Sequence, residues 1–193
     1  MMAALIDQMD LTNSGFDVGI VMRRDTVRRP VGDVGNAKTF PFPVLYRQVH
    51  DATVWDLFDP QIALSAPEPW VDAARELERA GVKGISGGCG FMAIHQRAMA
   101  AAVNVPVFAS ALLWVPLLDQ LLGRNRRIGI MTANSESLDE EYYRGAGWSS
   151  EDISVCTTGL EDTEFPAIVR SQQARYLDAG DQKRLESIMV DRA

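Results

Sequence analysis

Val82-Lys-Gly-Ile-Ser-Gly-Gly-Cys-Gly-Phe91 is the stretch that decides how the rest of the chain is read. Val82 to Ser86 is short and suits a strand, and the glycines around Cys89 make a turn after it. Phe91 to Val103 follows as a helix that is apolar on most sides and therefore expected to be buried. Upstream, Trp70, Ala73, Ala74, Leu77 and Ala80 recur at helical spacing, and Gly81 supplies the stop. Downstream, Val105 to Phe108 reads as the next strand, and a helix follows within 111–122, closed by Gly123. Arg127-Ile-Gly-Ile-Met-Thr132 opens another unit. Ser137 and Glu140 have capping-box spacing, which predicts a helix from Leu138 to Gly145. Asp152 to Cys156 is a further strand, and Leu185, Ile188 and Met189 share one face of a last helix over 181–193.

Towards the N-terminus, Phe16-Asp-Val-Gly-Ile-Val-Met22 has the β-branched composition of a central strand. Residues 23–43 carry Pro30, Gly32, Gly35, Pro41 and Pro43 without a period, so a long loop with a task is expected there. Val44 to Tyr46 and Ile62 to Leu64 read as short strands. Strands alternating with helices give an α/β fold, with a mostly parallel sheet covered on both faces.

Composition narrows the function. Of 193 residues, 47% are apolar and 23% charged, the balance of a chain that builds a core. Nineteen Lys and Arg against 26 Asp and Glu leave a net charge of −7, which argues against nucleic acid and anionic membranes as partners. Two cysteines are too few for a disulfide scaffold, and no His/Cys cluster has metal-ligand spacing; no metal site is expected. The expected compartment is the reducing cytoplasm. The uncharged stretch from Ala98 to Leu118 is long enough for a membrane span, but Asn104, Pro106, Ser110 and Pro116 punctuate it. It reads as a buried α/β segment.

Parallel sheets bind ligands outside the carboxyl ends of their strands. Four segments fall there: 23–43, 87–90, 109–110 and 132–136. Cys89 is the leading candidate, since a thiol at a helix N-terminus among glycines is placed to ionise and to let a substrate approach. The bland alternative is an inert buried cysteine. Gly88-Cys-Gly90-Phe-Met-Ala93 also matches a dinucleotide fingerprint, but the acid it requires about 20 residues on is absent until Asp119. His50 and His95 have no partner spacing and read as structural or surface residues. Arg23, Arg24, Arg28 and Arg29 are either a solvated face or a clamp for a carboxylate.

Gly81 to Phe91, Val105-Pro-Val-Phe-Ala-Ser-Ala-Leu-Leu-Trp-Val-Pro116, Arg127 to Asn134, Arg29-Pro-Val-Gly-Asp-Val-Gly-Asn36 and Phe40-Pro-Phe-Pro43, in that arrangement, resemble the aspartate/glutamate/hydantoin racemase superfamily. The resemblance implies two similar α/β lobes, here 1–112 and 113–193, with the active site in the cleft between them. It implies no pyridoxal phosphate or other cofactor and a small carboxylate-bearing substrate; a homodimer is compatible with it. Inversion at a carbon acid needs an acid and a base on opposite faces, and the family uses two thiols for this. Cys89 maps to the thiol of the first lobe, with Gly88 and Gly90 beside it. Thr132, Asn134 and Ser135 map to the second-lobe loop that contacts substrate.

Two departures accompany the match. The family's second thiol follows a later strand than any here, so the second lobe is expected to be incomplete. Cys156-Thr157 has the right dipeptide one unit too early. Relatives also carry Asp-Thr-Arg after the first strand, where this chain has Arg23-Arg-Asp-Thr-Val-Arg28. The expected activity is an amino-acid racemase or epimerase. Its alternatives are a single-thiol isomerase or decarboxylase of a small dicarboxylate, and an inactive carboxylate-binding protein.

Overall fold

The computed structural model describes residues 15–24, 29–171 and 179–192. Its first sheet has the order β2-β1-β3-β4, built from β1 (Val18–Arg23), β2 (Val44–Val49), β3 (Gly84–Gly87) and β4 (Val107–Phe108). All three pairings are parallel, with Val18 opposite Val44 and Gly84, and Ile85 opposite Val107. Ile20, Val21 and Ile85 are buried, as central strands of a parallel sheet require. Helix α3 (Glu68–Arg79) lays Trp70, Ala73, Ala74 and Leu77 into the core as its periodicity predicts. Leu77 is wholly buried, worth about 2 kcal/mol relative to exposure.

A second parallel sheet pairs β5 (Ile128–Thr132) with β6 (Val155–Gly159), Ile128 opposite Val155 and Thr132 opposite Gly159. Helix α6 (Glu140–Gly145) joins the two strands and packs on the turn that follows β3, burying Tyr142 and Tyr143. Trp148 stacks on Tyr143 at 4.3 Å and donates its indole N–H to the Leu112 carbonyl at 2.9 Å. Buried residues of both sheets thereby belong to one hydrophobic core.

Several expectations are corrected. Ile62-Ala-Leu64 is not a strand but part of α2 (Pro60–Ser65). Asp59 accepts from the amides of Gln61 and Ile62 and Pro60 occupies the first turn, so local capping outweighs the β-branched side chain. The Ser137/Glu140 capping box does not form: Asp139 caps α6, and the Glu140 carboxylate accepts from the amide and hydroxyl of Ser150. The helix expected over 91–103 is divided into a 3-10 segment, Gly90–His95, and α4, Gln96–Ala102. The strand expected at 152–156 sits later, at Val155–Gly159. No helix among the described residues is long and apolar enough to cross a membrane. The uncharged stretch 98–118 runs instead through α4, β4, a 3-10 segment (Ala111–Trp114) and α5 (Val115–Leu121). Its last part is exposed rather than buried: Trp114, Leu117 and Leu118 face solvent.

Candidate active site

Gly90, Ser110 and Thr132, at the carboxyl ends of β3, β4 and β5, line one cavity, and Gly88 bonds to Val21 of β1. Cys89 ends the turn after β3 in an extended conformation (φ −152°, ψ 134°). It is half-buried and packs against the core, and its side chain makes no capping hydrogen bond. Its carbonyl accepts from the Met92 amide at 3.0 Å, which starts the 3-10 segment. Cys89 thus precedes a short 3-10 segment rather than one long helix, a correction to the placement expected from sequence.

Gly88 is held by its neighbours. Its amide donates to the Val21 carbonyl at 2.9 Å, and a Cβ at this position would collide with the Met22 sulfur. A side chain here would have to push the Met22 thioether aside and would crowd the Val21 carbonyl oxygen at 3.3 Å. Gly90 has open space where a Cβ would be, and its carbonyl accepts from the Ser110 hydroxyl at 2.6 Å. Ser110 is buried and also caps the following segment by accepting from the Leu112 amide at 3.2 Å. One hydroxyl thus ties the turn after β3 to the turn after β4.

Gly90 and Thr132 line the same cavity, about 210 Å³, together with Ser110, Leu112, Ile130 and Leu138. Cys89, Asn134 and Ser135 are not among its lining residues. Asn134 is engaged locally: its side-chain oxygen accepts from the Ser137 amide at 3.1 Å. Ser135 is engaged too, donating through its amide at 3.2 Å and through its hydroxyl to the Glu161 carboxylate. That hydroxyl holds Glu161 below the usual carboxylate range, against a smaller opposing effect of burial. The loop expected to receive a substrate carboxylate already holds one of the protein's own. Glu161 has no motif around it, and sequence reasoning missed it for that reason.

Tyr142 approaches Cys89 from α6. Burial above all, then the negative charges of Asp139 and Asp59, push its hydroxyl well above the ordinary tyrosine range, so it stays protonated. It donates to the Leu57 carbonyl at 2.6 Å, and its ring meets Phe91 edge-on at 5.0 Å. It forms the wall behind the Cys89 turn.

The arginine cluster is partly placed. Arg29 is paired with Asp33 at 3.1 Å inside a tight loop, in which Asn36 donates to the Arg29 carbonyl at 2.8 Å. Arg23 ends β1 and Arg24 is exposed; Arg28 lies outside the described residues. Cys156 is exposed on β6, on the opposite strand face from Thr157, whose hydroxyl meets the Tyr143 hydroxyl at 3.0 Å. His95 is structural: it is buried and stacks on Trp70 at 5.0 Å.

Fold and site define an α/β protein of two parallel sheets with a half-buried thiol after the third strand. No protein-family model matches the chain. In sequence it is similar to dimethylsulfoniopropionate lyase 3 of Emiliania huxleyi (strain CCMP1516), 30% identical over 147 residues, covering 74% of this chain and 38% of the relative. It is 28% identical over 158 residues to the dimethylsulfoniopropionate lyase of Durusdinium sp. clade D, covering 79% of this chain and 52% of that one. The matched region is thus about two-fifths to one-half of the curated relatives' length. Among solved structures it is similar to a liganded double mutant of arylmalonate decarboxylase (TM-score 0.47, 19% identity, 74% of this chain and 61% of that one). It is also similar to glutamate racemase from Campylobacter jejuni subsp. jejuni (TM-score 0.44, 17% identity, 89% and 65%). Racemases, the group the sequence motifs resemble, are thus among the proteins to which this chain is similar.

Proposed function

We propose that the chain belongs to a cofactor-independent enzyme that removes the proton α to the carboxylate of a small carbon acid, with Cys89 as the base. The observation that carries this is Cys89 itself: a thiol left out of local hydrogen bonding, at the carboxyl edge of a parallel sheet, next to an unobstructed glycine. A thiolate in such a turn is a competent base, and groups around it can hold the substrate while charge moves onto the carboxylate. In the racemase reading, Cys89 takes the α-proton from one face and a second acid returns one to the other. The lobes then divide near residue 112, Gly88 and Gly90 flank the reacting carbon, and Thr132 contacts the substrate from the second lobe. Asn134 and Ser135, engaged with Ser137 and Glu161, shape the loop beside it without lining the cavity.

The names of the relatives favour a second reading with the same first step. If the carbon acid is a β-sulfoniopropionate, the α-proton goes to the Cys89 sulfur. The electron pair of the broken C–H bond forms the Cα–Cβ double bond. The Cβ–S bond breaks, releasing dimethyl sulfide and acrylate. One base suffices for this elimination, whereas inversion needs two.

The test uses the full chain in deuterated water, with L-aspartate and dimethylsulfoniopropionate as separate substrates. Deuterium entering the α-position, followed by NMR, reports proton removal, and dimethyl sulfide in the headspace reports elimination. Cys89→Ala is expected to lower whichever signal is present by about 10²-fold or more. Undiminished exchange or release in that variant overturns the assignment of Cys89 as the base.

A further inference from the structure

A second cavity, about 840 Å³, shares no residue with the one beside Gly90. It is lined by the turns that precede two parallel strands, 124–127 before β5 and 150–154 before β6, so it lies at the amino end of that sheet. The Ile128 amide joins the two turns by donating to the Ser154 carbonyl at 2.9 Å. Its volume falls in the range of ligand sites, roughly 300–1,000 Å³. Most of its lining side chains are polar, so a ligand there is recognised by charge and hydrogen bonds.

The two turns carry opposite charges. Arg124, Arg126 and Arg127 come from the first, and Glu151 and Asp152 from the second. Asp119, at the end of α5, is already taken, 3.8 Å from the Arg124 guanidinium. Arg126, Arg127, Glu151 and Asp152 make no ion pair among the described residues. Elsewhere on the surface opposite charges close on one another, as Arg47 and Glu76 do at 3.2 Å and Lys83 and Asp17 at 2.6 Å. Here both signs line one cavity and stay apart.

Both turns are fixed by the protein itself. Arg124 has φ +58°, a left-handed conformation that a residue with a side chain adopts at a cost, and its amide closes α5 by donating to the Asp119 carbonyl at 2.9 Å. The Ser149 carbonyl accepts from the amides of Asp152 and Ile153, each at 3.1 Å, and the Glu140 carboxylate accepts from the Ser150 amide and hydroxyl. A site held in this way loses little freedom on binding.

Charge then selects the ligand. A simple anion would leave Glu151 and Asp152 facing a like charge, and a simple cation would do the same to the guanidiniums. A ligand with separated charges of both signs satisfies both turns. A carboxylate matches the guanidinium fork, and an ammonium offers three donors to the two carboxylates. A free amino acid carries both groups on one carbon, whereas a peptide gains about 3.3–3.6 Å per residue and can span the cavity. We propose that this cavity, separate from the Cys89 site, binds a peptide of two or three residues by its two ends, the carboxylate at Arg126 and Arg127 and the ammonium at Glu151 and Asp152. Gln120, Asn125 and Ser154 line the cavity with side chains that make no hydrogen bond among the described residues, and they serve the peptide backbone between the ends.

Calorimetric titration of the full chain with triglycine, at pH 7.5 and about 20 mM ionic strength, tests this. N-acetyltriglycine lacks the ammonium, triglycinamide lacks the carboxylate, and glycine lacks the length. Each is expected to bind about tenfold more weakly than triglycine. The double variants Arg126→Ala/Arg127→Ala and Glu151→Gln/Asp152→Asn should each weaken triglycine by about as much; all four side chains are exposed, so the fold, checked by far-UV dichroism, should persist. Cys89→Ala should bind triglycine as the wild type does. No saturation by about 10 mM triglycine overturns the proposal, as does binding that folded double variants retain. N-acetyltriglycine binding as tightly as triglycine makes this an anion site, triglycinamide doing so makes it a cation site, and glycine doing so removes the peptide; each overturns it. Binding lost in Cys89→Ala places the peptide at the candidate active site and overturns it too.

Discussion

Acidification should destabilise this protein through one residue before its carboxylates respond. His95 is 1% exposed, its Nε2 has no hydrogen-bond partner among the described residues, and its ring stacks nearly parallel on Trp70, 19° off plane. An imidazolium there would be a buried charge without a partner, so burial lowers the histidine from its ordinary 6.5 to about 4. The unfolded chain takes up a proton near pH 6.5 while the native protein does so only near 4. Between those values the unfolded state binds more protons, and stability falls as pH falls. The loss begins near pH 6.5, is complete near pH 4, and amounts to about 3 kcal/mol. The carboxylates act lower: Asp56, Glu140, Glu161 and Asp162 are all held below their ordinary values, and what they contribute is lost as pH falls below about 4. Urea unfolding followed by far-UV dichroism at pH 7.5, 6, 5 and 4.5 separates the two windows. His95→Phe keeps the aromatic stack and removes the titrating group, so its stability should be flat over that range. A wild type equally flat between pH 7 and 4.5, or a His95→Phe protein that loses as much, refutes the account.

Two further perturbations test how the site is supported. Gly145→Ala places a Cβ 2.5 Å from the Ala93 carbonyl oxygen and 2.7 Å from the Ile94 Cα, both backbone atoms that cannot swing away. It should cost about 2–3 kcal/mol and lower the melting temperature by roughly 5–10 °C; a fall under about 2 °C means that α6 does not seat there. Ser135→Ala removes the hydroxyl that holds Glu161 low, so the Glu161 titration midpoint, read by NMR, should rise towards the ordinary glutamate value. An unmoved midpoint assigns the effect to the backbone amides of Glu161 and Ser135.

What could be read in advance was whatever depends on neighbours in sequence. The stripe Trp70, Ala73, Ala74 and Leu77 announced α3, the β-branched run 16–22 announced a central strand, and the glycines around Cys89 announced the turn after β3. Local chemistry misled where two local signals competed. The apolar Ile62 suggested a strand, but Asp59 and Pro60 start a helix. Ser137 offered a cap that Asp139 supplies instead. The contacts that join distant segments had no local signal at all. Ser110 reaches Gly90 across 20 residues, Ser135 reaches Glu161 across 26, Trp148 reaches Leu112 across 36 and Tyr142 reaches Leu57 across 85.

The sequence by itself determined the parallel α/β plan and the placing of Cys89 in a glycine turn after the strand at 82–86. These follow from side-chain periodicity and from glycine's freedom in turns, which act over a few residues. Only the tertiary structure decided that Ser135 is already claimed by a carboxylate, that His95 is sealed against Trp70 and that Trp114, Leu117 and Leu118 face outward. Burial and hydrogen-bond satisfaction depend on which surfaces meet, and that is settled only when segments far apart in the chain pack together.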